Sequence, residues 1–191
     1  MSSQIVLVTG GARSGKSAFA EQKLAALPGP HGYIATAEIY DTEMAERVAL
    51  HQKRRPAAWQ TYEVPRQMMS QLPHIMESAQ SVLLDCLTMY FSTFLFDHRH
   101  EKDREVTAKA LGEVQQWLAY IRQQEHKNLI IVTNEIGSGI VPMEHVSRLY
   151  RDVIGRLNQV VAAEADAVYW AVCGIPVCIK GEQARKRGGA E

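Results

Sequence analysis

Apolar residues along the chain fall into two spacings. Four short runs, Ile5–Val8, Tyr33–Ala35, Val82–Leu84 and Leu129–Val132, are compact, aliphatic or β-branched and carry no polar face, which predicts strands covered on both sides by helices. Longer stretches at 17–27, 42–53, 106–124 and 146–165 place their apolar side chains at helical spacing. In the third, Val106, Ala110, Leu111, Val114, Leu118 and Ile121 share a face, and in the fourth Leu149, Val153, Leu157 and Val160 or Val161 do so. Strands interleaved with helices imply βαβ units, hence an α/β protein with a mostly parallel sheet flanked by helices. Near the end the pattern changes: Ala167–Cys173 and Val177–Lys180 flank Gly174-Ile175-Pro176 and predict a C-terminal hairpin. His98, Arg99 and His100 lead from an exposed loop into a helix. Residues 1–180 are expected to form one domain, and 181–191, with the basic triplet Arg185-Lys186-Arg187, a disordered, solvated tail.

Composition narrows the class. The chain has 191 residues with 21 Lys+Arg against 21 Asp+Glu, so it is not built as an electrostatic trap for nucleic acid or an anionic membrane. Three cysteines, Cys86, Cys173 and Cys178, lie in apolar stretches. Their odd number and lack of metal-site spacing predict buried free thiols rather than disulfides. The N-terminal segment lacks a basic flank and a long apolar run, and no stretch approaches the ~18 apolar residues of a membrane span. The expectation is a cytoplasmic protein.

The clearest chemical signal is Gly10-Gly11-Ala12-Arg13-Ser14-Gly15-Lys16-Ser17, which matches G-x-x-x-x-G-K-[ST] directly after a predicted strand and before a predicted helix. Glycines let consecutive backbone N–H groups turn inward toward phosphate oxygens, and the helix start adds its positive dipole end. Lys16 supplies a point charge for the β- and γ-phosphates, and the Ser17 hydroxyl can ligate Mg2+. Such a loop calls for an acidic residue at the tip of a neighbouring strand to hold the magnesium shell. Asp85 after Val82–Leu84 fits, and Glu135 after Leu129–Val132 is a second candidate; either could instead cap a following helix. No Asn-Lys-x-Asp guanine-reading motif is present, and the one Asp-x-x-Gly match, Asp152–Gly155, lies in a helical pattern. Size then favours a small-metabolite kinase or transferase over a switch or a motor.

One stretch is unusual. Asp41 can cap a helix that Pro56 halts, and on that helix His51 stands four residues from both Arg47 and Arg55. Flanking cations disfavour imidazolium and leave a neutral, nucleophilic ring near pH 7. The residues alone leave two readings open, a solvated basic helix end and a nucleophile beside a triphosphate.

Taken in order, Thr9–Ser17, Tyr33–Thr36, the Asp41, Glu43, Met44, Arg47, His51, Arg55 block, Trp59-x-Thr61-x-Glu63, Leu84–Thr88, Thr133–Pro142 and Arg151-Asp152 with Gly155 and Asn158-Gln159 resemble the bifunctional adenosylcobinamide kinase / adenosylcobinamide-phosphate guanylyltransferase family. The resemblance spans about Ile5 to Lys180. Tyr90 stands where many members have Trp, and Thr93 where Asn is common nearby. The family likeness implies a RecA-like P-loop NTPase fold and a homo-oligomer, a trimer. It implies an adenosylcobinamide substrate phosphorylated with ATP or GTP, then GMP transfer from GTP through a covalent adduct on the histidine matching His51. It also implies nucleotide contacts at Gly10–Ser17, Ala35, Thr36, Ala37, Gln52, Lys53, Arg54, Arg55, Glu63 and Asp85, with Ser17 and Asp85 at the metal. Two other readings compete with it: a single-activity P-loop kinase of another small metabolite, and a non-enzymatic nucleotide-binding module.

Overall fold

The computed structural model describes residues 3–38, 42, 45, 46, 48, 49 and 55–181. Seven strands form one sheet: β1 (Gln4–Gly10), β2 (His31–Ala35), β3 (Gln60–Glu63), β4 (Ser81–Asp85), β5 (Asn128–Val132), β6 (Ala167–Val172) and β7 (Ile175–Lys180). Their order is β3-β2-β4-β5-β1-β6-β7. Every neighbouring pair is parallel except the hairpin β6–β7, as the terminal strand pattern predicts.

Helices α1 (Lys16–Ala25), α2 (Met68–Ser78), α3 (Leu87–Asp97), α4 (Asp103–Arg122) and α5 (His145–Glu164) cover the sheet. The core is divided by it. On one face Ala20 and Leu24 of α1 pack on Val6, Val8, Tyr33, Leu83, Ile130 and Val132. On the other, residues of α2 to α5 pack on Ile5, Leu7, Ile34, Val82, Leu84, Leu129 and Ile131. The central strands are thus apolar on both sides, which is why they read as unbroken apolar runs. At the heart of the larger cluster the Trp117 ring meets Tyr90 edge-on at 4.9 Å and lies 5.5 Å from Phe91; such aromatic pairs add about 0.5–1.5 kcal/mol beyond their buried area.

Three elements go beyond the expected set. Strand β3 is Gln-Thr-Tyr-Glu at the sheet edge and mostly exposed, so it carries no apolar alternation to announce it. Helix α2 has Met68, Leu72, Ile75 and Met76 buried at helical spacing, but Pro73 sits inside it and reads locally as a break. Helix α3 buries six of its eleven residues and lacks the polar face that marks a surface helix. Of the expected helix at 42–53, Thr42, Ala45, Glu46, Val48 and Ala49 are helical; Asp41, Glu43, Met44, Arg47 and His51, with Gln52, Lys53 and Arg54, lie outside the described residues, as does 182–191 of the tail. One expectation is corrected: all three cysteines are free, but only Cys86 is buried, while Cys173 is exposed and Cys178 half-buried. Cys173 takes a φ of +52° in the hairpin turn, which turns it out of the packed layer.

Candidate active site

The parallel register sets the site. Asp85 pairs with Ala35 on one side and Val132 on the other, Val132 pairs with Val8, and Ala35 pairs with Glu63. The carboxyl ends of β3, β2, β4, β5 and β1 therefore lie level along one edge, the edge where open α/β sheets bind ligands. β5 stands between β1 and β4, so Asp85 is two strand spacings, about 10 Å, from the β1 backbone.

From the end of β1 the chain enters the Gly10–Ser17 loop. Arg13 and Gly15 take left-handed backbone, with φ of +56° and +89°, so the loop curls before Lys16 opens α1. Gly10 is buried against the hairpin, and a Cβ there would lie 2.5 Å from the carbonyl oxygen of Ala171 and 2.6 Å from Ser14 Oγ. At Gly15 a Cβ would approach Gly174 Cα to 3.0 Å, and Gly174 N–H donates to Ser14 O at 3.0 Å. The terminal hairpin is thus a buttress for the loop. Gly11, Ala12, Arg13 and Gly15 are exposed on its open side, and Ser17 is half-exposed.

Lys16 Nζ donates to Gly11 O at 3.1 Å, lying across the mouth of the loop. Partial burial lowers its pKa, opposed by the fields of Cys86 and Asp85 at the β4 tip. Asp85 Oδ2 accepts a 2.8 Å hydrogen bond from Tyr33 Oη, and the Arg55 guanidinium lies over the Tyr33 ring with its Cζ 3.4 Å from the ring centroid. The structure therefore brings together Lys16, Asp85 and Arg55. Among the described residues no cluster of three His, Cys, Asp or Glu could hold a metal by itself. A strand-tip carboxylate together with a hydroxyl at the start of α1 is nevertheless a donor set that suits Mg2+, which keeps several waters and takes its remaining ligands from the nucleotide.

The other predicted contacts differ in kind. Ala35 and Ala37 are half-buried where the chain leaves β2, and Glu63 is exposed at the tip of β3. Thr36 is completely buried. Its hydroxyl donates to Cys86 O at 2.7 Å and accepts from Cys86 N–H at 2.8 Å, so it ties β2 to β4 and supports Asp85 rather than presenting itself to a ligand. Glu135 is three residues beyond β5, and its carboxylate accepts from the backbone N–H groups of Gly137 at 2.7 Å and Ser138 at 3.3 Å. It closes its own turn, and hydrogen bonding, from the Ser138 side chain foremost and then from these backbone N–H groups, holds its pKa below the usual carboxylate range.

Behind the site runs a polar network that the motif series contains but site reasoning leaves out. Thr133 Oγ1 donates to Asn158 Oδ1 at 2.7 Å, Asn158 Nδ2 to Asn134 O at 3.1 Å, and Asn134 Nδ2 to Thr88 Oγ1 at 2.8 Å. Tyr150 Oη donates to Thr88 O at 3.0 Å, and Cys86 Sγ lies 3.0 Å from Thr88 Oγ1. These bonds lock the ends of β4 and β5 to α3 and α5, and their signal in sequence is the run of small polar residues directly after two apolar strands. Away from the loop, a half-open cavity of about 490 Å³ lies among Gln67, Phe94, His98, Lys109 and Glu113.

The fold is shared widely. A protein of Pyrococcus horikoshii OT3 is similar with a TM-score of 0.54 at 9% identity, over 93% of this chain and 86% of that one. An ATPase from the type III secretion system of pathogenic bacteria gives 0.50 at 12% identity, over 92% of this chain and 56% of that one. Such distant likenesses speak for the P-loop NTPase architecture alone. Closer relatives are the bifunctional adenosylcobalamin biosynthesis protein CobU of Salmonella typhimurium, 40% identical over 92% of this chain and 99% of its own, and CobP of Pseudomonas aeruginosa, 38% identical over 92% and 97%. The family model for cobinamide kinase / cobinamide phosphate guanyltransferase matches residues 6–179. The chain is an enzyme of the cobinamide kinase / cobinamide phosphate guanyltransferase family.

Proposed function

We propose that this enzyme carries out two successive steps of adenosylcobalamin biosynthesis on one corrinoid substrate. The observation that carries the reading is Lys16 lying in the loop mouth within the field of Asp85, an arrangement suited to a magnesium-bound nucleoside triphosphate. In the first step the hydroxyl of the aminopropanol arm of adenosylcobinamide attacks the γ-phosphorus of ATP or GTP, its proton is released to solvent, and the bond to the β-phosphate oxygen breaks. Inward N–H groups of the Gly10–Ser17 loop and the Lys16 ammonium stabilise charge on the departing diphosphate. Ser17 and Asp85 would hold the Mg2+, which when bound neutralises charge on the β- and γ-oxygens.

In the second step an unprotonated His51 ring nitrogen attacks the α-phosphorus of GTP, pyrophosphate leaves, and GMP remains as a phosphoramidate. A phosphate oxygen of adenosylcobinamide phosphate then attacks the same phosphorus, the P–N bond breaks, and adenosylcobinamide-GDP is released with the imidazole restored. Covalent catalysis divides one difficult displacement into two easier ones. Arg55, on the Tyr33 ring beside Asp85, supplies positive charge near the nucleotide. Ala35 and Ala37, with Gln52, Lys53 and Arg54, line the nucleotide in this reading, while buried Thr36 holds β2 to β4 behind them. Glu63, exposed at the level of Asp85, is suited to accept from the N1–H and N2–H2 edge of guanine, which adenine lacks.

Exposed Trp170, Ile175 and Ile179 on the hairpin support a homo-oligomer, since a monomer gains nothing from wetting them. Among the described residues no helix is long and apolar enough to cross a membrane. The deciding assay incubates the protein with adenosylcobinamide and GTP and separates the corrinoids by chromatography. Adenosylcobinamide phosphate followed by adenosylcobinamide-GDP is expected; nucleotide binding with both products absent would overturn the reading.

A further inference from the structure

We propose that Tyr33 is the positioning residue of the nucleotide site, orienting Asp85 with its hydroxyl and Arg55 with its ring. The proposal rests on the reading above of Asp85 as the carboxylate of the magnesium shell and Arg55 as a cation that meets the nucleotide. Tyr33 is 2% exposed on β2, whose neighbours in the sheet are β4, which ends in Asp85, and β3, which contains Thr61. Its side chain contacts both Asp85 and Arg55.

The hydroxyl contact acts on direction. A carboxylate at a strand tip can rotate, and the 2.8 Å bond from Tyr33 Oη to Asp85 Oδ2 fixes the rotation and leaves Oδ1 for the water shell of a metal. Partners one layer out tune an ion in this way, and octahedral Mg2+ tolerates little misplacement.

The ring contact acts on Arg55. With Cζ 3.4 Å from the ring centroid, the guanidinium is held against the ring by cation–π attraction. Arg55 Nη1 reaches Thr61 Oγ1 at 3.4 Å. Its Nε–H is buried and has no hydrogen-bond partner among the described residues. Buried guanidinium donors are ordinarily satisfied, and an oxygen of a bound nucleotide is the acceptor such a donor suits.

The test separates the two contacts. Mn2+ is titrated into protein saturated with α,β-methylene-GTP, whose α–β bridge His51 cannot displace, free Mn2+ being read by electron paramagnetic resonance, and metal-free affinity for the same nucleotide is measured in EDTA. Tyr33→Phe keeps the ring and the packing volume, so thermal melting should stay near wild type. It is expected to weaken Mn2+ binding by roughly tenfold, the loss of one hydrogen bond to a charged group, and to leave metal-free affinity unchanged. Tyr33→Leu is expected to lose metal-free affinity as far as Arg55→Ala does. Tyr33→Phe binding Mn2+ like wild type while Asp85→Asn binds it weakly would overturn the hydroxyl role and leave the reading of Asp85 standing. Asp85→Asn binding Mn2+ like wild type would instead remove that reading. Tyr33→Leu matching wild type in EDTA while Arg55→Ala is weak would overturn the ring role, and Arg55→Ala matching wild type would remove the reading of Arg55.

Discussion

Gly10 and Ala171 are partners across β1 and β6, and the carbonyl oxygen of Ala171 stands 2.5 Å from where a Cβ on Gly10 would be. The obstacle is backbone, which cannot swing aside. Gly10→Ala should therefore force β6 away from the phosphate loop and cost roughly 1–3 kcal/mol, the range for overpacking a tight site. Gly11→Ala, one residue on, meets nothing within 4 Å and should fall within about 0.5 kcal/mol of wild type. Urea unfolding of the two variants side by side checks this; equal stabilities would show that the hairpin does not brace the loop.

Lys16 is held across the mouth of the loop by Gly11 O. Lys16→Ala should weaken ATP and GTP by at least tenfold, since a hydrogen bond to a charged group contributes about 1.5–3 kcal/mol. Lys16→Arg should not restore binding, because the planar fork cannot take the place of a compact ammonium. Calorimetric titration reads both. Because both proposed steps use the one loop, kinase and guanylyltransfer should be lost together; kinase turnover surviving in Lys16→Ala would contradict that placement.

Much of this arrangement is legible in the sequence. The strands that read plainly, such as Ile5–Val8 and Leu129–Val132, lie inside the sheet with both faces covered, so burial alone writes their apolar pattern. The loop at 10–17 is equally plain, because Gly10 leaves no room for a Cβ and Gly15 takes left-handed backbone. Edge strand β3 and helix α2 are less so: the first has water on it and the second contains Pro73. Within the site, Asp85 shows itself as a charge ending an apolar run. The pairing of Tyr33 with Asp85 and Arg55 depends on three segments distant in sequence meeting at one sheet edge, and no local pattern encodes that.

A further consequence concerns pH. Tyr90 is buried, its hydroxyl donates to Glu113, and the Met68 N–H donates to the Tyr90 hydroxyl at 3.1 Å. Burial raises the pKa of Glu113, more than the Tyr90 bond and the field of His98 lower it. A raised pKa in the folded chain means that Glu113 supports folding fully below its unfolded value of about 4.3. That support is lost as pH rises through the folded value. Glu113→Gln, which never ionises, should gain on wild type as pH rises from about 4 into the neutral range. Denaturant unfolding at a series of pH values reads the difference; parallel curves for the two proteins would contradict it.

The central claim is that imidazole at position 51 becomes joined to GMP during turnover. The direct measurement is intact-protein mass spectrometry after brief incubation with GTP, quenched at alkaline pH to preserve a phosphoramidate, followed by peptide mapping. The account predicts one GMP added per chain, located on His51, removed by acid and absent from His51→Ala. Accumulation of adenosylcobinamide-GDP by a protein whose His51 peptide never carries the nucleotide would contradict it.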